Sequence, residues 1–267
     1  MFDFHMHTTV SYDGHNTGAE MALAARNGGL KEICFTDHLD YDPRGLMKMD
    51  FETDVYNAAY DGLEVPGLTI RRGAEFGMLR NNPEQLKKDL QRRHFDFIIG
   101  SCHFTEDLDI YFPPFWEGKT MEQAETLYLE EVLACVQAHE DFDVLGHLTY
   151  ISKAASNPTH RPVAYERYRE LVDEILRTLA RKGKGMEVNT SGMTRCGVFL
   201  PEAVYLRRFQ ELGGQIVTVG SDAHDVKRVG ENCLKAAQQV ADIFGYVCTF
   251  HDRKPVFHSK KTLEKGL

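Results

Sequence analysis

Short apolar runs alternate along the chain with longer stretches in which apolar residues recur every three or four positions. The segments 2–5 (FDFH), 32–38 (EICFTDH), 68–76 (LTIRRGAEF), 95–103 (FDFIIGSCH), 142–147 (FDVLGH), 185–191 (GMEVNTS) and 215–224 (QIVTVGSDAH) read as buried strands. A helix is expected over 18–27, where Met21, Leu23, Ala24 and Ala25 supply the apolar positions and Gly28-Gly29 stops it. Two longer helices are expected over 120–138 and over 163–181, the second with a one-sided face of Tyr168, Leu171, Val172, Ile175, Leu176 and Leu179. Strands alternating with helices imply parallel pairing through crossovers, and seven such strands imply a closed or nearly closed α/β barrel. The tail YVCTFHDRKPVFHSKK reads as an extra strand pair or an edge. No low-complexity stretch or Pro/Ser-rich linker interrupts the pattern, so one domain over residues 1–267 is expected.

The chemistry sits where the strands end. His5 and His7, His38, Glu75, His103, His147, and then Asp222 with His224 each close an apolar run. In a parallel barrel the strand C-termini gather on one face, so these residues converge although they are spread over the whole chain. Residues two apart on a strand point to the same side, which lets His5 and His7 grip one ion, and Asp222 and His224 repeat the spacing. A single histidine at a strand end is ordinarily a hydrogen-bonded structural residue. Five strands ending in histidine with carboxylates on the same face are hard to obtain that way, because burying them unpaired is costly. A catalytic zinc commonly takes three protein ligands, so this number of candidates implies two or three divalent ions. The remaining His94, His139, His251 and His258 lie in helical or tail contexts and read as surface residues.

Composition narrows the function. An apolar fraction of 42% in 267 residues is ample for a buried core. No run approaches the roughly 18 apolar residues of a membrane span, and the start lacks the layout of a signal peptide, so a cytoplasmic protein with no membrane partner is expected. Six cysteines without a CxxC pair read as reduced and buried. A formal net charge of −9 repels polyanions and argues against nucleic acid as a partner, while a local metal cluster still admits a small anionic substrate. The pattern specifies no oligomeric state.

The blocks HMHTTVSYDG, CFTDHLD, GAEFG, IIGSCHF, VLGHLTY, EVNTSG and VGSDAH, in this order and across nearly the whole chain, resemble the polymerase and histidinol phosphatase superfamily. GSCHFTEDLDIYF, DFDVLGHLTYISK and MEVNTSG are similar to its histidinol-phosphate phosphatases. The resemblance implies a distorted (β/α)7 barrel, similar to a TIM barrel, with a trinuclear centre of zinc, iron or manganese. Carried over residue by residue, His5, His7, His38, Glu75, His103, His147, Asp222 and His224 match ligand positions. The remaining ligand falls on Asp13 or His15; by its distance from His5, Asp13 fits better, and His15 is then a group behind the ligands, a substrate contact or an exposed loop residue.

Clustered divalent ions hold a bridging water, lower its pKa and clamp the oxygens of a phosphate ester, so attack by a bridging hydroxide is the expected chemistry, and the resemblance implies L-histidinol phosphate as the ester. Glu75 is expected to tie two ions together. Asp222 or His224 is the candidate proton donor to the leaving alkoxide. No CxxxxxR or DxDx(T/V) phosphatase motif is present, so water is the expected nucleophile. Arg161 and Arg195 are candidate phosphate forks, and Asn189 and Ser191, two apart on one strand end, are candidate substrate contacts. Among the acidic residues after His103, Glu106, Asp107 or Asp109 would meet the substrate ammonium. Phe104, Tyr111, Phe112, Phe115 and Trp116 form either a lid over the site or a hydrophobic cluster under the loop. Competing readings are a phosphoesterase of the same superfamily acting on nucleotides or other small esters, an amidohydrolase-like enzyme, and a non-catalytic metal-binding domain. Amidohydrolases commonly place a lysine at the end of a central strand, where this sequence has Glu75.

Overall fold

A computed structural model describes residues 1–264. Seven parallel strands form one sheet in sequence order: β1 (Phe2–Asp3), β2 (Glu32–Phe35), β3 (Thr69–Gly77), β4 (Phe97–Ser101), β5 (Val144–Leu145), β6 (Gly185–Asn189) and β7 (Val217–Gly220). The sheet closes on itself where the two ends of the chain meet. Phe4 N donates to Val219 O at 3.0 Å, Asp222 N to His5 O at 2.8 Å and His7 N to Ala223 O at 2.8 Å. This is the nearly closed seven-stranded barrel that the alternation implies. The seam is tight: a Cβ on Gly220 would stand 2.2 Å from His5 Cβ and 2.7 Å from Glu187 Oε1, so only glycine lets β7 approach β1 here.

Most strands are shorter than the apolar runs suggest, because the last residues of the run leave the ladder to present side chains, whereas β3 continues past Glu75 to Gly77. In 142–147 only Val144–Leu145 is strand, and Gly146 turns the chain so that His147 points inward. In 32–38 the ladder stops at Phe35, and His38 begins a separate strand, His38–Tyr41, paired with β3 and with Lys48–Met49.

Helices α1 (Gly18–Asn27), α2 (Thr53–Tyr60), α3 (Pro83–Arg92), α4 (Met121–Ala138), α5 (Arg169–Arg181), α6 (Ala203–Glu211) and α7 (Cys233–Phe244) fill the crossovers. Capping boxes, Thr17 with Glu20 and Thr120 with Gln123, fix the starts of α1 and α4. α5 begins at Arg169 rather than at 163, since Pro162 and a short 3₁₀ turn at Tyr165–Arg167 precede it. Its Val172, Ile175, Leu176 and Leu179 are buried, as the one-sided pattern requires. The tail forms an antiparallel hairpin, β8 (Tyr246–His251) and β9 (Lys254–Ser259), that covers the barrel floor. Phe250 packs 4.8 Å from Phe97, at the start of β4, and His258 lies 4.2 Å from Phe2. His139, expected at the surface, is buried: it follows Cys135 by one helical turn, and its Nε2 bonds to Leu79 O at 2.8 Å. His258 is partly buried, whereas His94 and His251 are exposed. All six cysteines are free thiols, and only Cys196 is not buried. Among the described residues no helix is long and apolar enough to cross a membrane.

Candidate metal centre

The ends of the seven strands surround a cavity of about 500 Å³. At its base the residues from β1, β3 and β7 meet. His5 Nε2 lies 3.1 Å from His7 Nε2 and 3.2 Å from Glu75 Oε2, and His7 Nε2 lies 3.3 Å from Asp222 Oδ1. Glu75 turns its other oxygen away from this group, with Oε1 2.8 Å from His147 Nε2 and 3.4 Å from His103 Nε2. Nearer the mouth, Asp13 Oδ2 stands 3.6 Å from His38 Nε2 and 3.3 Å from His224 Nε2. Donor atoms roughly 3.3 Å apart are what bonds of about 2.0–2.1 Å to a tetrahedral ion require. All nine sequence-expected ligand positions therefore fall in one contiguous cluster.

Asp222 takes a left-handed backbone, φ 56°, which aspartate tolerates and which turns its carboxylate back over the barrel axis. The histidines are aimed by partners on their far nitrogens. His5 Nδ1 meets Glu187 Oε1 at 2.6 Å, His103 Nδ1 meets Asp40 Oδ2 at 2.8 Å, and His7 Nδ1 meets Ser11 Oγ at 3.3 Å. These contacts leave Nε2 facing the cluster in each case. Glu187 also accepts from His147 N at 2.9 Å, so one buried carboxylate serves two of the candidate donors.

Two observations show that the residues fit metal ions. Glu75 Oε2, Asp13 Oδ1, His38 Nδ1 and His147 Nδ1 are buried without a hydrogen-bond partner among the described residues, a costly arrangement for an acceptor-rich pocket left to itself. The donor set, imidazole and carboxylate, is that of zinc, iron and manganese sites. The protonation states diverge in the same way. Burial opposes charge on His5 and His103, yet Glu187 and Glu75 around His5, and Asp40 and Glu75 around His103, raise both well above the ordinary imidazole range. His38, likewise buried, is raised to about 9 by Glu75, Asp13 and Asp40. His7 is pushed well below by burial and by His224 and His38. Burial also opposes the charges of Glu75 and Asp222, but their histidine neighbours, with Lys153 beside Asp222, hold both carboxylates well below the usual range.

Of the expected substrate contacts, the structure brings some to the cavity and leaves others out. Arg195 and Ser191 line it, and Asn189 lies just beneath, donating to Asp222 Oδ2 at 3.3 Å. His15 stands exposed at the rim, tied through its backbone to His224 O at 2.9 Å, so Asp13 rather than His15 faces His38 and His224. Arg161 is exposed in the loop before α5 and does not line the cavity, because the turn at Asn157–His160 carries it outward. Glu106 and Asp107 form the exposed turn of a small hairpin and face away, whereas Asp109 on its return strand lines the cavity. The aromatic loop divides: Phe104 and Phe115 are buried, Trp116 bonds to Ile110 O, and Tyr111 and Phe112 reach the mouth.

Sequence reasoning missed four contributors. Lys153, six residues beyond His147, contacts Asp222 Oδ2 and donates to Ser191 Oγ at 2.8 Å. Arg228 lines the same wall, held by Thr194 Oγ1 at 2.9 Å. Asp40 and Glu187 stand behind the ligands. Asp40 had a signal, since it follows His38 by two, the spacing of His5 and His7. Glu187 was a lone carboxylate inside an apolar strand.

The model of the PHP domain matches residues 3–191. The chain belongs to the PHP domain family. The PHP match ends before β7, and β7 with its following turn carries Asp222 and His224. A protein named histidinol-phosphatase from Lactococcus lactis is 30% identical over 98% of each chain, and one named probable histidinol-phosphatase from Clostridium acetobutylicum is 29% identical over 99% of each. The crystal structure of the PHP relative from Lactococcus lactis, a histidinol phosphate phosphatase complexed with zinc, L-histidinol and phosphate, superposes with a TM-score of 0.86 at 29% identity, covering 96% of this chain and 98% of that one. A Listeria monocytogenes structure, 19% identical with a TM-score of 0.70, shares the fold.

Proposed function

We propose that this chain hydrolyses L-histidinol phosphate to L-histidinol and phosphate, as a metal-dependent phosphomonoesterase of histidine biosynthesis. The observation that carries the reading is a nine-residue donor cluster in one cavity with Lys153, Arg195 and Arg228, in a fold similar throughout to an enzyme solved with zinc, L-histidinol and phosphate. His5, His7, Glu75 and Asp222 would hold one ion, Glu75 with His103 and His147 a second, and Asp13, His38 and His224 a third, drawn from zinc, iron or manganese. When bound, such ions supply Lewis-acid activation of water and of the phosphate ester.

The chain's own residues do the rest. Arg195, anchored to Lys153 O at 2.9 Å and Tyr111 Oη at 2.9 Å, presents its guanidinium from the rim to the phosphate oxygens. Ser191, whose Oγ donates to Asn189 Oδ1 at 2.6 Å and accepts from Lys153 Nζ at 2.8 Å, holds that lysine in place from below. With Asp222 and His224 committed to ions, Lys153 Nζ is the proton-bearing group beside Asp222 that serves the departing alkoxide. Asp109 faces the ammonium of the substrate, and Tyr12, Met47, Tyr111 and Phe112 give its imidazole an apolar wall. We read residues 1–267 as one domain, because β7 completes both barrel and centre. The negative charge and the free thiols fit a cytoplasmic enzyme acting on a small ester rather than on nucleic acid.

The test is phosphate release by metal-replete protein from L-histidinol phosphate, with nucleoside monophosphates and single-stranded DNA as controls. Turnover of the first alone supports the reading. Preference for nucleotides would move the chain to another phosphoesterase activity of the family, and no release from any ester would leave a metal-binding domain without catalysis.

A further inference from the structure

At the opposite end of the barrel a second, smaller set of metal-competent side chains converges. His94 lies in the loop entering β4, and His251 and Asp252 lie where β8 turns into β9. His94 Nε2 is 3.1 Å from Asp252 Oδ1, and His251 Nε2 is 3.6 Å from Asp252 Oδ2. Asp96 stands behind, with Oδ1 4.0 Å from His251 Nε2. The backbone that carries them is fixed. Asp252 and Arg253 adopt left-handed conformations, φ 48° and 62°, the tight turn that suits a two-residue hairpin. Asp252 N donates to Asp96 Oδ1 at 3.1 Å, and Arg253 N donates to Asp96 O at 2.8 Å.

Charge makes this group more than a surface hydrogen bond. Among the described residues neither Asp96 nor Asp252 has a lysine or arginine within ion-pair distance. The two nearby guanidiniums are engaged elsewhere, Arg253 with Asp143 and Asp141 O, and Arg72 with Asp61 and Tyr60 O. Two carboxylates therefore share the site with two imidazoles and no fixed cation. The two imidazoles face the two oxygens of one carboxylate, His94 Nε2 at 3.1 Å from Oδ1 and His251 Nε2 at 3.6 Å from Oδ2.

We propose that His94, His251 and Asp252 form a second metal site that takes a divalent transition ion of the zinc class and clamps the C-terminal hairpin to the barrel floor. The donor set, two imidazoles and one carboxylate, leaves a fourth position for water. The ion stabilises the folded chain by mass action, because the hairpin and the loop before β4 meet only in the native state. The site is separate from catalysis, and its loss leaves turnover unchanged.

The experiment compares the full chain with its H94A/H251A variant, both dialysed against micromolar zinc until the metal content is constant. Zinc per chain, thermal midpoint with and without added zinc, and kcat are measured together. The wild type should hold one more ion per chain than the variant, and its midpoint should rise with zinc by more, at equal kcat. Equal zinc content in the two proteins overturns the proposal. Should the double variant lose its circular dichroism, H94Q is used for the same comparison and decides by the same criterion.

Discussion

Replacing Glu187 by glutamine tests how far the centre depends on a residue that touches no expected ion. The carboxylate is 1% exposed and serves two donors at once, His5 Nδ1 at 2.6 Å through Oε1 and His147 N at 2.9 Å through Oε2. Glutamine keeps the shape but has one acceptor oxygen, so its amide group must confront either the imidazole N–H or the backbone N–H. A buried donor left unmatched costs about 1–3 kcal/mol. Losing a partner behind a metal-bound histidine typically lowers affinity about 10–100-fold, or roughly 1.4–2.8 kcal/mol, so the two routes agree. In competition with a zinc chelator at neutral pH, E187Q should bind zinc one to two orders of magnitude more weakly, with unchanged far-ultraviolet circular dichroism. Most of its kcat should return in excess metal, because the ligands themselves are intact. Zinc affinity within about twofold of wild type in a folded variant would show that Glu187 does not aim His5 and His147, and the reasoning would fail.

Other outcomes follow from the same geometry. Glu75→Gln removes the charge shared between two donor groups, and phosphate release from L-histidinol phosphate should fall by more than about 10²-fold even in excess metal. In the metal-free protein His38, with a pKa of about 9 against an ordinary value near 6.5, carries a proton at neutral pH. Zinc uptake must displace that proton, so calorimetry in buffers of different ionisation enthalpy should show proton release at neutral pH, vanishing above pH 9 as far as His38 is concerned. The same shift means that ionised His38 stabilises the metal-free fold fully below its unfolded pKa, and this contribution is lost as pH rises through 9. Gly220→Ala puts a methyl 2.2 Å from His5 Cβ, and chemical denaturation should show a loss of about 1–3 kcal/mol together with weakened zinc binding. Arg195→Lys exchanges a planar fork for a point charge at the rim, and KM for the phosphate ester should rise while kcat changes less.

The barrel and the donor cluster were legible because the signal is repeated: six of the seven apolar runs end in a donor, and no local accident produces that several times over. His139 was misjudged although its spacing from Cys135 already placed it on the buried face of α4. Arg161 was misjudged because nothing in a loop sequence states which way the loop leans. The Asx turn at Asn157, whose side chain accepts from Thr159 N and His160 N at 2.9 Å, directs it outward. Lys153 escaped notice because a lysine after an apolar stretch ordinarily reads as solvated, and only the closure of the barrel brings the segment after β5 to Asp222, across β6. Glu187 was readable in principle, since a carboxylate flanked by Met186 and Val188 in a buried strand requires a partner.

The barrel closes by hydrogen bonds between its first and last strands, and the donors of the centre sit on both sides of that seam. His5 and His7 leave the ribosome more than two hundred residues before Asp222 and His224. A chain arrested before β7 thus holds the family's matched segment and seven of the nine candidate donors, lacking only Asp222 and His224. Closing the barrel and completing the donor cluster are thus one event, and both wait on the docking of β7.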